Sequence, residues 1–283
     1  MYSNSFTRQN PGLILFLVDQ SGSTEDKMAN GFPIAQNITD LVNACISDCV
    51  NYATMLIGDD EEEVKREVCI TVIGYGGKGN PNDFNDRWNH EAEILQMPIW
   101  VDEIESTFSK SRTVTKKLDV FEILKPQIGG GTPMASAFKT AYEIIKDSWL
   151  PTHQTAKDPV PVIINISDGE PTDDKDELKK IIEDIKSLQI PDGSPMIINI
   201  HLSSHDKQNA ELANPSDINE CKDEWSRLMF EVSTEVTDDM ANNSRSINQM
   251  GISSGQRLFC SNIQDTAIAA KFIQIGTPAK GMR

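Results

Sequence analysis

Three continuous apolar runs are the strongest constraint on the fold of this chain. They are GLILFLV at 12–18, VCITVIGY at 68–75 and VPVIINI at 160–166. Such runs, without polar alternation, are typical of strands buried on both faces of a parallel sheet. Parallel neighbours need crossover connections, which are usually helices. The runs therefore predict an α/β fold: a doubly wound, mostly parallel central sheet with helices on both faces.

Amphipathic segments between these runs supply the helices. A stripe with three-to-four spacing begins after Pro33 and includes Cys45 and Cys49. A second helix follows the glycine-rich stretch QIGGGT, with Thr132 at its expected N-cap. The pattern predicts one domain over 12–276. Its expected insertions lie at approximately 78–118 and 203–240, and its expected terminal tails are 1–11 and 277–283.

Composition limits the classes of partner. The chain has 283 residues, with 26 Lys and Arg against 43 Asp and Glu, a formal net charge of −17. Such a charge repels nucleic acid and anionic lipid, so we expect neither as a partner. The five cysteines are an odd number without a CxxC pair, which favours buried thiols over disulfides. With no apolar run of membrane-spanning length and no signal-like start, the sequence predicts a cytoplasmic protein.

Oxygen-bearing side chains follow the predicted strands in three loops. Asp19, Ser21 and Ser23 come after the first strand, Thr132 precedes a helix, and Asp168 follows VPVIINI. Residues two apart in an extended chain point the same way, so the first three side chains can converge. Ligands of doubly wound sheets bind at these loops. An all-oxygen set favours a hard cation, Mg²⁺ or Mn²⁺, over zinc.

The segments DQSGS, GGT and SDGEPTD resemble the three parts of the metal-ion-dependent adhesion site (MIDAS) of von Willebrand factor A (VWA) domains. The resemblance covers the chain from Gly12 to about Ile275 in element order. It implies that the hydroxyls of Ser21, Ser23 and Thr132 ligate the ion, while Asp19 and Asp168 hold it largely through waters. It also implies that an Asp or Glu carboxylate of a partner protein fills the remaining position.

A narrower similarity, to bacterial intracellular A domains of tellurite-resistance type, implies a stress-response or signalling complex with kinase or phosphatase partners. Asp173 resembles an aspartate of the family that supports the metal ligands or caps a helix. The other interpretation is a plain charge at a helix N-terminus. The oligomeric state is left open.

Two other functional classes compete with the interaction module. A haloacid-dehalogenase-type phosphoryl-transfer enzyme also has an Asp after its first strand, but it needs a second Asp where this chain has Ser21. We therefore expect no catalytic residues and no enzymatic activity. A structural subunit with a metal-free site is the third class. His201 and His205 are four apart but have no evident third ligand, so the sequence does not favour a zinc site.

Overall fold

A seven-stranded mixed sheet organises the chain in the computed structural model, which describes residues 4–56, 62–77, 92–204, 211–243 and 251–276. The tail 277–283, residues 78–91 and 205–210 of the two expected insertions, and His205 with them lie outside the described residues. The strands are β1 (Gly12–Gln20), β2 (Thr54–Leu56), β3 (Glu62–Val64), β4 (Val68–Gly76), β5 (Glu93–Trp100), β6 (Lys110–Arg112), β7 (Asp119–Phe121), β8 (Val162–Ser167), β9 (Met196–Leu202), β10 (Leu212–Ala213) and β11 (Phe259–Ile263).

The strand order confirms the predicted fold class. The sheet runs β10-β11-β9-β8-β1-β4-β5, and its five inner strands are parallel. Antiparallel strands β10 and β5 close the two edges. Strands β2 and β3 form one small hairpin, and β6 and β7 form another. From β5 to β11 the order matches the doubly wound 3-2-1-4-5-6 arrangement, in which ligands bind beyond the carboxyl ends of the strands.

The inner strands owe their position to the apolar runs. Every residue of β1, β8 and β9 is buried, which requires cover on both faces of the sheet. The helices are α1 (Ile34–Ala53), α2 (Val101–Thr107), α3 (Met134–Glu143), α4 (Lys175–Ser187), α5 (Glu224–Val232), α6 (Asp238–Asn243) and α7 (Thr266–Gly276). Helix α1 packs against α2 and α7, and α3 packs against α4, which provides the two covering layers.

Segment 78–118, expected as an insertion, contributes a strand to the main sheet. Strand β5 pairs with β4 between Cys69 and Gly74, with two irregularities in register. Its sequence, EILQMPIW, contains a proline and is only partly buried, so it lacks the apolar signature of the inner strands. Proline is tolerated on edge strands because one side of the strand needs no sheet partner. This explains why the sequence pattern did not place this segment in the main sheet.

All five cysteines lie in the described part of the chain, where they are buried and form no disulfide. Burial raises the pKa of the Cys69 thiol to about 12, so this thiol carries its proton at neutral pH. No helix within the described ranges is both long enough and apolar enough to span a bilayer.

Candidate metal centre

The loop after β1 brings two hydroxyls together above a buried aspartate. Asp19 and Ser21 are almost inaccessible to solvent, while Ser23 is exposed. The Ser21 main-chain N–H donates to Asp19 Oδ1 at 2.9 Å, which fixes the turn out of the strand. The hydroxyl oxygens of Ser21 and Ser23 are 3.1 Å apart. The alternate spacing of these residues therefore does direct their side chains to one place.

The loop after β8 joins the first loop through both aspartates. Ser23 Oγ donates to Asp168 Oδ1 at 2.9 Å, and Ser167 Oγ donates to Asp19 Oδ2 at 2.7 Å. Strands β1 and β8 are direct neighbours in the sheet, so their carboxyl ends lie side by side. Sequence reasoning missed Ser167, although its position directly before Asp168 was a usable signal. Four of the five predicted site residues thus share one hydrogen-bonded cluster.

The glycine-rich loop before α3 lies against the first loop. Gly22 N–H donates to the Gly130 carbonyl at 3.2 Å, and Gly129 N–H donates to the Gln20 carbonyl at 2.9 Å. Gly76, at the end of β4, fills the remaining gap with φ of 83°. A Cβ at Gly76 would lie 2.6 Å from the Ser21 nitrogen and 2.7 Å from the Gly131 carbonyl oxygen. The close approach of these loops therefore requires glycine there.

Thr132, the fifth predicted residue, is tied to the loop after β8 through its main chain. Its N–H donates to Thr172 Oγ1 at 2.8 Å, and Thr172 N–H donates to the Thr132 carbonyl at 2.9 Å. Thr132 is almost fully buried. Sequence reasoning did not identify Thr172, because a threonine in a polar loop carries no distinctive pattern. The structure places Thr132 at the end of the glycine-rich loop of the cluster, held by Thr172.

The capping prediction for Thr132 is wrong. Helix α3 begins at Met134, so Pro133 occupies the N-cap and has no side-chain acceptor. Asp173 compensates from the neighbouring loop, because its Oδ2 accepts the Ser136 N–H at 3.2 Å. The next helix, α4, has its own cap in Asp174, which accepts from the N–H groups of Asp176 and Glu177. Asp173 therefore caps α3 across the loop interface.

His201 supports the Asp168 loop from beneath. The Asn262 N–H donates to His201 Nδ1 at 3.1 Å, so the proton of the neutral ring lies on Nε2. That nitrogen is 3.1 Å from the Asp168 carbonyl oxygen and donates to it. The ring also meets Trp225 of α5 edge-on, with centroids 6.3 Å apart. His201 thus holds the main chain of the site in place, and α5 supports this histidine.

Burial raises the pKa of two carboxylates at the site, Asp19 and Asp173. Burial raises the pKa of Asp19, although hydrogen bonds from Ser21 and Ser167 oppose the shift. Burial likewise raises the pKa of Asp173, against the hydrogen bonds from the Ser136 and Ala135 main chain. The Tyr75 hydroxyl beneath the site has a raised pKa, chiefly from burial and secondly from the charge of Asp19. The site therefore favours a cation.

The oxygen spacings fit an octahedral ion. Neighbouring ligands around Mg²⁺ at 2.0–2.1 Å are separated by about 2.9 Å. The distance from Ser23 Oγ to Ser21 Oγ, 3.1 Å, is close to this value, and the hydrogen bond from Ser23 keeps Asp168 Oδ1 beside the two hydroxyls at 2.9 Å. Because Ser23 donates its proton to Asp168, its oxygen lone pairs point elsewhere. No cluster of three or more His, Cys, Asp or Glu residues suited to a metal occurs in the described ranges.

Of the comparisons with known proteins, the one with solved structures gave matches. No protein-family model matches the chain, and no curated protein matches it. The pilus adhesin SpaC from Lactobacillus rhamnosus GG is 12% identical with a TM-score of 0.49, over 80% of this chain and 27% of the adhesin. The manganese-loaded Plasmodium vivax TRAP protein is 12% identical with a TM-score of 0.42, over 93% of this chain and 74% of TRAP. The chain therefore spans about a quarter of the adhesin's length, and at these identities the likeness concerns the fold alone.

Proposed function

We propose that this chain is a divalent-metal-dependent protein-interaction module that binds a carboxylate of its partner through Mg²⁺ or Mn²⁺. The observation that carries the proposal is the hydroxyl of Ser23, which lies 3.1 Å from Ser21 Oγ and donates to Asp168 at 2.9 Å. The two serine hydroxyl oxygens are thereby spaced as direct ligands of a small hard cation, and the Asp168 carboxylate supplies negative charge beside them. Ser23 is exposed, so the position faces solvent and is accessible to a partner.

The residues divide into two roles. Ser21, Ser23 and Thr132 would hold the ion through neutral oxygens. Asp19 and Asp168 would supply the balancing charge, acting largely through waters and through their hydrogen bonds to the loops. When bound, the ion supplies Lewis acidity toward one more oxygen ligand. Since the direct ligands carry no charge, an Asp or Glu of the partner protein is the favoured occupant.

The same residues argue against phosphoryl transfer. An enzyme with Asp19 as its nucleophile needs an acid/base two residues later, and Ser21 occupies that position. Ser21 Oγ interacts with Ser23 Oγ and with Asp19, and neither a histidine nor a lysine of the described residues is among these partners. An unactivated hydroxyl is a weak nucleophile at neutral pH. Binding without catalysis therefore accounts better for this arrangement of side chains.

Buried thiols support a reducing compartment. The cysteines are buried and form no disulfide in the described residues, which suits the cytoplasm. A cytoplasmic location is therefore part of the proposal. The kinase or phosphatase partners and the bacterial stress-response setting implied by the narrower resemblance stay predictions.

Calorimetric titration with Mg²⁺ and Mn²⁺ tests the proposal. We expect one ion per chain, a higher melting temperature in its presence, and at least tenfold weaker binding for Ser23→Ala. Ser106→Ala, on the exposed surface of α2, is the control and should bind as the unmutated chain does. Failure of the unmutated protein to bind either ion would favour the metal-free structural subunit. Retrieval of a partner in Mg²⁺ but not in EDTA would then identify the protein that supplies the carboxylate.

A further inference from the structure

Four exposed carboxylates surround the candidate metal centre. Glu25 and Asp26 end the short helical turn Gly22–Glu25 that contains Ser23. Glu170 is two residues beyond Asp168, next to Gly169, at which a Cβ would lie 3.6 Å from Ser23 Oγ. Glu224 at the start of α5 is 82% exposed in its side chain. We call these four residues, together with Ile128, the rim.

Two lysines near the rim do not balance it. Lys175 bridges the rim carboxylates, with its Nζ 3.3 Å from both Glu170 Oε2 and Glu224 Oε1. One cation is thus shared by two anions, and its side chain is only 34% exposed. Lys27 follows Asp26 on the first loop. The four rim carboxylates outnumber these two lysines, so these described residues leave an excess of negative charge around the centre.

Ile128 adds an exposed apolar side chain on the glycine-rich loop beside the centre. It is 42% exposed, one of four large hydrophobic side chains noted as exposed in the described part of the chain. It directly precedes Gly129, whose N–H donates to the Gln20 carbonyl beside the first loop. The rim is therefore acidic on the side of the first and third loops and apolar on the side of the glycine-rich loop.

We propose that the rim selects a partner segment whose metal-binding Asp or Glu is flanked by Lys or Arg, with an apolar side chain against Ile128. The inference rests on the proposed function, because it assumes that a carboxylate reaches the ion. An acidic segment would bring further negative charge against Glu25, Asp26 and Glu170, which is unfavourable. Basic flanking residues would complement the same carboxylates while the ion binds the central one. Recognition would then depend on alternating charge in the partner.

A peptide library with a fixed central Asp and random flanking residues tests the inference on the full chain in Mg²⁺ at low salt. We expect the bound pool to be enriched in Lys and Arg over Asp and Glu at the flanking positions. The double variant Glu25→Gln/Glu170→Gln should bind a Lys-flanked Asp peptide about threefold to tenfold more weakly. The double variant Glu143→Gln/Glu183→Gln removes two exposed carboxylates from α3 and α4 and is the control matched in charge, with Glu143 about 13 Å along α3 from its first residue.

The outcomes separate this inference from the proposed function. A bound pool whose flanks match the starting library overturns the inference, whether or not the central Asp binds in a Mg²⁺-dependent way. Equal loss of binding in Glu143→Gln/Glu183→Gln and in the rim variant also overturns it, because net charge rather than the rim would be responsible. Lys-flanked peptides that bind equally in EDTA, or equally with Asn at the centre, would contradict the proposed function while the rim preference stands.

Discussion

Thr172 and Thr132 exchange two hydrogen bonds across neighbouring loops. The Thr132 N–H donates to the Thr172 hydroxyl at 2.8 Å, and the Thr172 N–H donates to the Thr132 carbonyl at 2.9 Å. Asp173, next in the chain, caps α3 from the same loop. The glycine-rich loop and the Asp168 loop are therefore joined by two hydrogen bonds, and a third ties the Asp168 loop to α3. Thr132 keeps its position relative to Asp168 as long as these contacts hold.

Removing the Thr172 hydroxyl should weaken both folding and metal binding. Thr172→Val retains the shape of the side chain but leaves the Thr132 N–H without its acceptor. We expect a loss of about 1–2 kcal/mol in the free energy of unfolding measured in EDTA. Mg²⁺ affinity by calorimetry should fall several-fold as well. Thr172→Ser retains the hydroxyl and is expected to behave as the unmutated chain; a Thr172→Ser variant as damaged as Thr172→Val would contradict this role.

Gly76→Ala should disrupt the packing of the loop after β1 against the glycine-rich loop. The position has φ of 83°, and an added Cβ would meet main-chain atoms of Ser21 and Gly131 below 3 Å. Gly31 provides a matched control, because its φ is 81° and a Cβ there meets nothing within 4 Å. Both alanine variants should carry backbone strain of about 1–2 kcal/mol. The additional loss of stability in Gly76→Ala, relative to Gly31→Ala, therefore measures the crowding alone.

We expect urea unfolding to show at least about 1 kcal/mol more destabilisation for Gly76→Ala than for Gly31→Ala. Mg²⁺ affinity should fall in Gly76→Ala and stay unchanged in Gly31→Ala. Equal losses of stability in the two variants would mean that the loops yield to the extra carbon at no cost.

The central fold could be predicted because the apolar composition of its strands indicates that they are buried. GLILFLV and VPVIINI became β1 and β8, neighbours in the sheet, since an uninterrupted apolar run has to be covered on both faces. The same logic placed Asp19, Ser21, Ser23 and Asp168 together, because adjacent parallel strands end at one edge. Their positions after the predicted strands were enough to predict that these four residues lie together.

The supporting contacts could not be predicted because they depend on pairings distant in sequence. Thr172 lies 40 residues from Thr132, and His201 lies 33 residues from Asp168. Neither a loop threonine nor a strand histidine reveals which main-chain group it will meet. The edge strand β5 was not assigned to the main sheet for a related reason: with one face and one edge partly open, its residues need not be apolar.

A buried polar chain beneath the centre provides a third prediction. The Tyr75 hydroxyl reaches across β1 to donate to Asn165 Oδ1 at 2.7 Å, and Asn165 donates to Asn199 at 3.0 Å. Asn199 in turn donates to Ser233 Oγ at 2.8 Å. Tyr75→Phe removes the first donor in this solvent-free region, so we expect a loss of about 1–3 kcal/mol in the free energy of unfolding.

Tyr142→Phe is the control for that measurement, because Tyr142 is only half-buried on α3. Its stability in urea should lie within about 0.5 kcal/mol of the unmutated chain. A Tyr75→Phe variant that is equally unaffected would show that the polar chain rearranges without cost.

Lys186, near the end of α4, should make stability depend on alkaline pH. Burial, reinforced by repulsion from Arg257, lowers the pKa of its ammonium from 10.5 to about 8. Nζ donates to the Glu231 carbonyl at 3.3 Å, which compensates this burial only in part. Between pH 8 and 10.5 the unfolded chain binds more protons at this site than the folded chain, so the Lys186 contribution to stability rises with pH. Below pH 8 both states are protonated, and the full cost of burying the charge remains.

Lys186→Met retains the aliphatic length and removes the charge, so it should raise the melting temperature at pH 7 by about 2 °C. The difference from the unmutated chain should shrink as pH rises from 8 toward 10.5, because the native lysine then folds in its neutral form. Lys180→Met, at an exposed position of the same helix, should show no such pH dependence. Thermal melts of the three proteins at several pH values check this. If the Lys186→Met difference stays constant over that interval, the lysine does not titrate there, and its burial does not carry the cost inferred from its surroundings.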